Sequence, residues 1–255
     1  MGLLFWLIVL LAIYGIFIEP HRMKVRNVKI SNQKGLKIAH FTDTHFAWHT
    51  GFGRFAKFAR NIQKNQPDVI LFTGDLYDKV SWGKLQNNEK LIEMLSNLTA
   101  PKGKFAILGN HDFDEFGHSD FVRQILVRSG FTVLTNESQL TADFAISGLD
   151  DMREGNSDFD ISPEPSDFAL LMVHEPDSVA RLSNLTKFDL IIAGHSHGGQ
   201  IRIGKFRLKN NGSKLYDSGF YQLFGNTKLF VNAGIGLTFL PIRFGVPPEI
   251  VYYDI

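Results

Sequence analysis

The sequence predicts an α/β fold, and three observations carry that expectation. From Leu36 onward, short apolar runs with strand character alternate with amphipathic stretches of helical spacing. Several of those runs end in carboxylate, amide or imidazole groups, as strands do when a sheet gathers ligands beyond its carboxyl edge. At 255 residues the chain can bury one large core, so one α/β domain is the simplest arrangement.

Composition narrows the chemistry. The balance of 27 basic against 26 acidic residues leaves no electrostatic footprint for nucleic acid. The absence of cysteine excludes disulfides, iron-sulfur clusters and thiolate zinc sites, so any metal must be held by nitrogen and oxygen. The 23 phenylalanines suit either a sheet-rich core or an apolar surface near lipid.

The amino terminus is apolar or small from Gly2 to Ile18, and Glu19-Pro20 ends the run. As a helix it measures about 26 Å, at the short end of what crosses a hydrocarbon core of roughly 30 Å. No basic region precedes it and no A-x-A-like cleavage site follows, which favours an uncleaved single-pass anchor over residues 1–20; a signal peptide is the alternative. Arg22, Lys24, Arg26 and Lys29 follow the segment, which by the positive-inside rule keeps the downstream domain cytoplasmic; a signal peptide would place it outside. Residues 21–35 read as a linker or an edge strand, with partial alternation from Val25 to Ile30.

The next elements follow in order. Leu36–Thr42 has the pattern of a buried strand and runs into Asp43-Thr44-His45, a carboxylate and an imidazole able to converge on one cation. His40 within the strand reads as a packed, hydrogen-bonded histidine, and His21, His49 and His118 as ordinary ones. Phe52–Gln66 is expected to be helical, with Phe55, Phe58, Ala59 and Ile62 on one face. Its opposite face, Arg54, Lys57, Arg60 and Lys64, is either solvated or turned to anionic lipid. Asp68–Thr73 forms a second strand ending in Gly74-Asp75-Leu76-Tyr77-Asp78, and a right-handed crossover places Asp75 beside Asp43. Leu85–Leu98 reads as a helix and Lys104–Leu108 as a strand ending in Gly109-Asn110-His111-Asp112.

Ser119 is placed to cap a helix that Gly130 terminates. Thr132–Leu134 and Phe144–Ser147 read as strands, and the acidic stretch Asp150–Asp167 as a surface loop shaping access. The strand Phe168–Val173 delivers His174, and Phe188–Ala193 delivers Gly194-His195-Ser196-His197-Gly198-Gly199-Gln200. Asn210–Lys228, glycine-spaced and aromatic, is either a mobile lid contacting acyl chains or a hairpin packed on the core. Arg243, downstream of Gly234-Ile235-Gly236, is a candidate for a bidentate contact to a substrate phosphate.

Taken together, Asp43-x-His45, Gly74-Asp75-x-x-Asp78, Gly109-Asn110-His111-Asp112, His174 and Gly194-His195-x-His197 resemble the full signature of the calcineurin-like metallophosphoesterases, over residues 36–255. The Gly198-Gly199-Gln200 extension and the anchor resemble the bacterial membrane-associated branch, which includes phosphodiesterases and UDP-2,3-diacylglucosamine pyrophosphatases. The resemblance implies a four-layer α/β/β/α sandwich of two mixed sheets, completed by strands near Gln200–Ile203, Leu229–Asn232 and Glu249–Tyr253. It implies that Asp43, His45 and His197 bind one divalent metal, that Asn110, His174 and His195 bind a second, and that Asp75 bridges them. It also implies that His111 protonates the leaving oxygen while Asp78 orients its ring.

Such a site makes chemical sense on its own terms. Two cations about 3.5–4 Å apart can share a water, lower its pKa and neutralise charge building at phosphorus. Carboxylates supply the negative charge that keeps two dications close, while neutral imidazoles and an amide leave them Lewis acidic. Nitrogen and oxygen ligands suit manganese, iron or zinc. A catalytically silent relative would show substituted ligands, and none of these seven is substituted. A tether beside a phenylalanine-rich domain favours an amphiphilic phosphoester, a soluble diester being the alternative.

Overall fold

A computed structural model describes residues 2–31, 34–48 and 50–255; His49 lies outside the described residues. In chain order the main helices are α1 (Gly2–Ile13), α2 (Phe52–Asn65), α3 (Val80–Lys84), α4 (Glu89–Ser96) and α5 (Asp120–Arg128). The strands are β1 (Lys24–Lys29), β2 (Lys37–Phe41), β3 (Val69–Thr73), β4 (Lys104–Ile107), β5 (Thr132–Val133), β6 (Glu137–Leu140) and β7 (Ala145–Gly148). They continue as β8 (Ala169–Met172), β9 (Leu190–Ala193), β10 (Arg202–Ile203), β11 (Phe206–Arg207), β12 (Gly219–Gln222), β13 (Lys228–Val231) and β14 (Glu249–Asp254).

Two six-stranded mixed sheets form the centre, ordered β1-β14-β2-β3-β4-β5 and β12-β13-β9-β8-β7-β6. Strand alternation assigns each face. In β3, Ile70 and Phe72 turn outward to a layer built by Phe55, Phe58 and Ile62 of α2, Leu91 and Leu95 of α4, and Val122 and Leu126 of α5. Val69 and Leu71 turn inward and meet Ile146, Leu170, Met172, Leu190 and Ile192 of the second sheet. The outer face of that second sheet, including Leu171, Ile191 and Leu229, packs with Val179, Leu182 and Phe188. The expected four layers are present, but the last consists of short 3₁₀ turns, Pro176–Arg181 and Leu185–Lys187, together with loops. Removing one fully buried aromatic, as in Phe58→Ala, is expected to cost about 3–5 kcal/mol.

Some local expectations change. The Leu85–Leu98 helix starts only at Glu89, because Asn88 donates to Gly83 O and Gln86 O while Asn87 Oδ1 accepts from Glu89 N at 3.1 Å. Such side-chain bonds compete with helix formation. Ser119 occupies the position before α5 but its side chain makes no capping bond. Asn210–Lys228 divides: β12 pairs antiparallel with β13, with Tyr216, Tyr221 and Leu223 against the core, while Asn210 and Asn211 turn towards a cavity. Apolar helical structure runs from Gly2 to His21, closing through a widened π-type turn and a 3₁₀ turn.

Candidate metal centre

β2, β3 and β4 run parallel, so their carboxyl ends share one edge, where Asp43 and His45, Asp75, and Asn110 and His111 emerge. The parallel pair β8 and β9 presents His174, His195 and His197 from the second sheet. The loops are bent hard to do this. Asp43, His45, Asp75, His195 and His197 all have positive φ, between 42° and 65°. Left-handed backbone is costly for residues with a Cβ and concentrates where function requires it. Two glycines permit the closeness: a Cβ on Gly109 would strike Asp75 Oδ1 and the His174 ring, and one on Gly194 would strike Thr42 Oγ1 and Asp43 Oδ2.

Two donor clusters result. In the first, His45 Nε2 and His197 Nε2 are 3.0 Å apart, and Asp43 Oδ1 lies 3.8 Å from the former and 3.5 Å from the latter. In the second, His174 Nε2 and His195 Nδ1 are 3.2 Å apart. Asp75 Oδ2 stands between them, 3.3 Å from His45 Nε2 and 3.2 Å from His174 Nε2. The amide oxygen Asn110 Oδ1 is buried without a hydrogen-bond partner.

Main-chain carbonyls fix which ring nitrogens face inward. His174 Nδ1–H donates to Thr73 O at 2.7 Å, and His195 Nε2–H donates to Asn211 O at 2.7 Å. Each ring therefore offers its remaining lone pair to the other, an arrangement that suits a shared cation and leaves neutral imidazoles without a proton between them. With the orphaned Asn110 oxygen and the carboxylate set, the residues fit two hard or borderline divalent cations.

Charge among these side chains follows the same geometry. Burial works against protonating His174, but Asp75 and then Asp43 and Glu175 hold its proton affinity well above normal. Burial and the neighbouring His174 push His195 down to about 4. His45 is held well above its ordinary value despite burial, through Asp43, Asp75 and Asp78, whereas burial depresses His197. Asp75, though buried, is kept well below the usual carboxylate range by His174 and His111. The carboxylates thus favour positive charge within each cluster.

Two expected roles are corrected. Arg243 does not reach towards substrate: it is fully buried, and its guanidinium donates to the carbonyls of Ala233, Gly234, Gly236 and Val246. Its Nη2 lies 3.4 Å from His197 Nδ1, so it braces the Gly234–Gly236 turn behind that ring. Asp78 does orient His111, but through its main chain, His111 Nδ1–H donating to Asp78 O at 2.7 Å. The Asp78 carboxylate instead faces His45 Nδ1 at 3.5 Å and Thr238.

The structure also adds residues. Asp112 is buried and accepts from Asp75 N, Leu76 N and Gly109 N at 2.8–2.9 Å, clamping two ligand loops together. Burial and then the charge of Asp75 push its carboxyl up to about 7. A cavity of about 260 Å³ opens onto the centre, lined by Asp75, His111, His195, His197, Asn210, Asn211, Thr238, Phe239 and Arg153. Arg153, from the expected surface loop, is the basic side chain in that lining. The same loop turns Asp151 inward, fully buried, near Glu175, whose carboxyl burial raises to about 7.

Residues 36–199 match the family model for the calcineurin-like phosphoesterases. The chain belongs to that family. This phosphoesterase is 32% identical to the uncharacterized metallophosphoesterase YkuE of Bacillus subtilis, covering 95% of this chain and 88% of the relative. It is 26% identical to an uncharacterized metallophosphoesterase of Aquifex aeolicus, covering 94% and 92%. It is also 26% identical to the UDP-2,3-diacylglucosamine pyrophosphatase LpxG of Chlamydia muridarum, covering 95% and 92%. The phosphoesterase is accordingly a metal-dependent phosphoester hydrolase, and the paired donor clusters are candidates to hold its metal.

Proposed function

We propose that the enzyme hydrolyses a phosphodiester or pyrophosphate bond of an amphiphilic, membrane-held substrate such as UDP-2,3-diacylglucosamine. The observation that carries this reading is the shared position of the two donor clusters, the Arg153-lined cavity and the apolar amino-terminal helix at one end of the domain. The chlamydial relatives support the lipid-linked substrate.

Asp43, His45 and His197 would hold one divalent cation and Asn110, His174 and His195 the other, with Asp75 shared. Manganese, iron or zinc in those places would supply Lewis acidity and an activated water. Around them, each side chain has its own task. Arg153 meets phosphate charge at the mouth, and the Asn210–Asn211 turn lines the same cavity. His111 lines the cavity with its Nδ1–H held by Asp78 O, and as an imidazolium it would carry on Nε2 the second proton, the one the departing oxygen takes up.

The test is manganese-supported hydrolysis by the full chain of a chromogenic diester, the matched monoester and UDP-2,3-diacylglucosamine in mixed micelles, with Asp75→Asn as control. Preference for the lipid supports the reading. Efficient turnover of the soluble diester with none of the lipid sinks it in favour of a soluble-diester phosphodiesterase.

A further inference from the structure

The apolar helix leaves the domain from the edge that carries the metal ligands. β1 runs parallel to β14 and β14 antiparallel to β2, so Lys24 and Glu249 lie at the end where β2 delivers Asp43. The helix is also fastened there. Gly15 O accepts from Arg243 N at 3.0 Å, the Tyr14 and Phe244 rings meet edge-on at 5.9 Å, and Glu19 Oε2 accepts from Gly245 N at 2.8 Å. A Cβ on Gly15 would come within 3.1 Å of Ile242, so the approach depends on glycine. Phe244 in turn bonds to the β10–β11 hairpin, through Arg202 N to Phe244 O at 2.7 Å and Phe244 N to Gln200 O at 3.0 Å. Helix, segment 238–245 and hairpin therefore form one connected block.

The fastening holds the apolar helix against the domain surface: none of Gly2–Ile13 is buried, and Phe17 and Ile18 beyond it still expose 66% and 48% of their area. An apolar helix docked in this way brings the surface beside it to the lipid that the helix enters. That surface is apolar: Ile203, Phe206, Leu208, Phe239 and Leu240 expose 61%, 62%, 50%, 92% and 45% of their area. Phe239 holds φ at 59°, a strained backbone for a large side chain, and the strain presents the ring outward. Lys205 at the hairpin tip is exposed and suits anionic headgroups.

We propose that the 202–208 hairpin and the 238–242 loop form a rim that sinks into the bilayer beside the helix, so that the metal cavity opens at the lipid–water boundary. A cavity of about 260 Å³, with Phe239 its one large apolar side chain, receives a phosphoester headgroup and leaves no room for acyl chains. Those chains stay in the membrane while the headgroup turns in. This deepens the lipid-substrate reading and rests on it for the class of ligand, but its test does not use hydrolysis.

Because the chain has no cysteine, single probes can be placed cleanly. Phe206→Cys and Phe239→Cys, with Leu7→Cys in the helix and Lys64→Cys near the far end of α2, are labelled with an environment-sensitive fluorophore. The full chain is reconstituted into phosphatidylcholine–phosphatidylglycerol vesicles carrying nitroxide lipids at shallow or deep positions, and bound metal content verifies each fold. The rim predicts shallow quenching at positions 206 and 239, deep quenching at 7 and none at 64. Probes at 206 and 239 as unquenched as that at 64 overturn the proposal, as does an unquenched probe at 7. Blue-shifted but unquenched emission at 206 and 239 also overturns it, assigning the rim to a second copy of the chain. Lipid quenching at the rim without lipid hydrolysis would leave this inference standing and remove only the substrate reading.

Discussion

The two sheets meet at the metal centre with different donors. Among the described candidate ligands, the first supplies the carboxylates Asp43 and Asp75, with His45 and Asn110, and the second supplies the imidazoles of His174, His195 and His197. Charge that would draw two dications together therefore sits on one sheet, and much of the directional affinity on the other. The centre closes like a clasp, and one bond joins its two halves directly: His195 N donates to both Asp43 oxygens at 3.0–3.1 Å. The contrast teaches that the carboxylates should matter for holding the pair, and the second-sheet imidazoles for holding each ion in place.

The largest effect should come from the shared carboxylate. Asp75→Asn is expected to lower turnover at least ~1,000-fold, equivalent to about 4 kcal/mol, and to reduce bound metal below two per chain by mass spectrometry. His174→Gln should cost less and release mainly one ion. Equal losses from the two variants would break the proposed division of labour. Chelation opens the clasp as a whole: relative to protein with free metal at ~100 times its Kd, metal-free protein should lose about 2.7 kcal/mol for each ion removed, read as a lower melting temperature that added manganese restores.

A histidine outside the clasp sharpens the comparison. His40 lies on the first sheet but bonds to Tyr253 Oη and Thr73 Oγ1 at 2.9–3.0 Å, and burial pushes its pKa down to about 3. A depressed histidine binds fewer protons folded than unfolded, so its contribution is complete above pH ~6.5 and is lost as pH falls toward about 3, at up to ~1.4 kcal/mol per unit. Denaturant titrations at pH 7 and 5 should show that loss, and His40→Gln should flatten it. An unchanged slope would reject the buried-neutral assignment. The smallest effect belongs to the mouth: Arg153→Met should raise KM by ~10-fold with kcat nearly held, as a charge-assisted phosphate contact predicts. A fall in kcat alone would move Arg153 from binding into the chemical step.

Much of the centre was legible because strands end where their apolar alternation ends. Asp43, Asp75, Asn110, His174 and His195 each follow such a run, and a parallel sheet can only bring those ends to one edge. Asp112 was visible as a letter in Gly109-Asn110-His111-Asp112, but not as a clamp, because its partners are main-chain N–H groups of another loop. Arg153 had no signal, since a loop without periodicity does not reveal where its side chains turn. Arg243 misled because a guanidinium near glycines suits a phosphate and a ring of carbonyls equally well, and only the fold decides between them. The edge strand β6 went unseen for a related reason: Glu137-Ser138-Gln139-Leu140 is polar, and pairing with β7 supplies what composition does not.

The junction between helix and domain has a mechanical consequence. β1 lies parallel to β14 over six register pairs, Lys24 with Glu249 through Lys29 with Asp254. A pull on the amino-terminal segment away from the domain runs along β1, so the ladder is loaded in shear and its bonds must yield together instead of one after another. Arg26, paired with Glu249 at 2.6 Å, reinforces the end where that load arrives. A load arriving through the amino-terminal helix is therefore borne by the whole ladder, and the sheet beneath it is not peeled apart strand by strand.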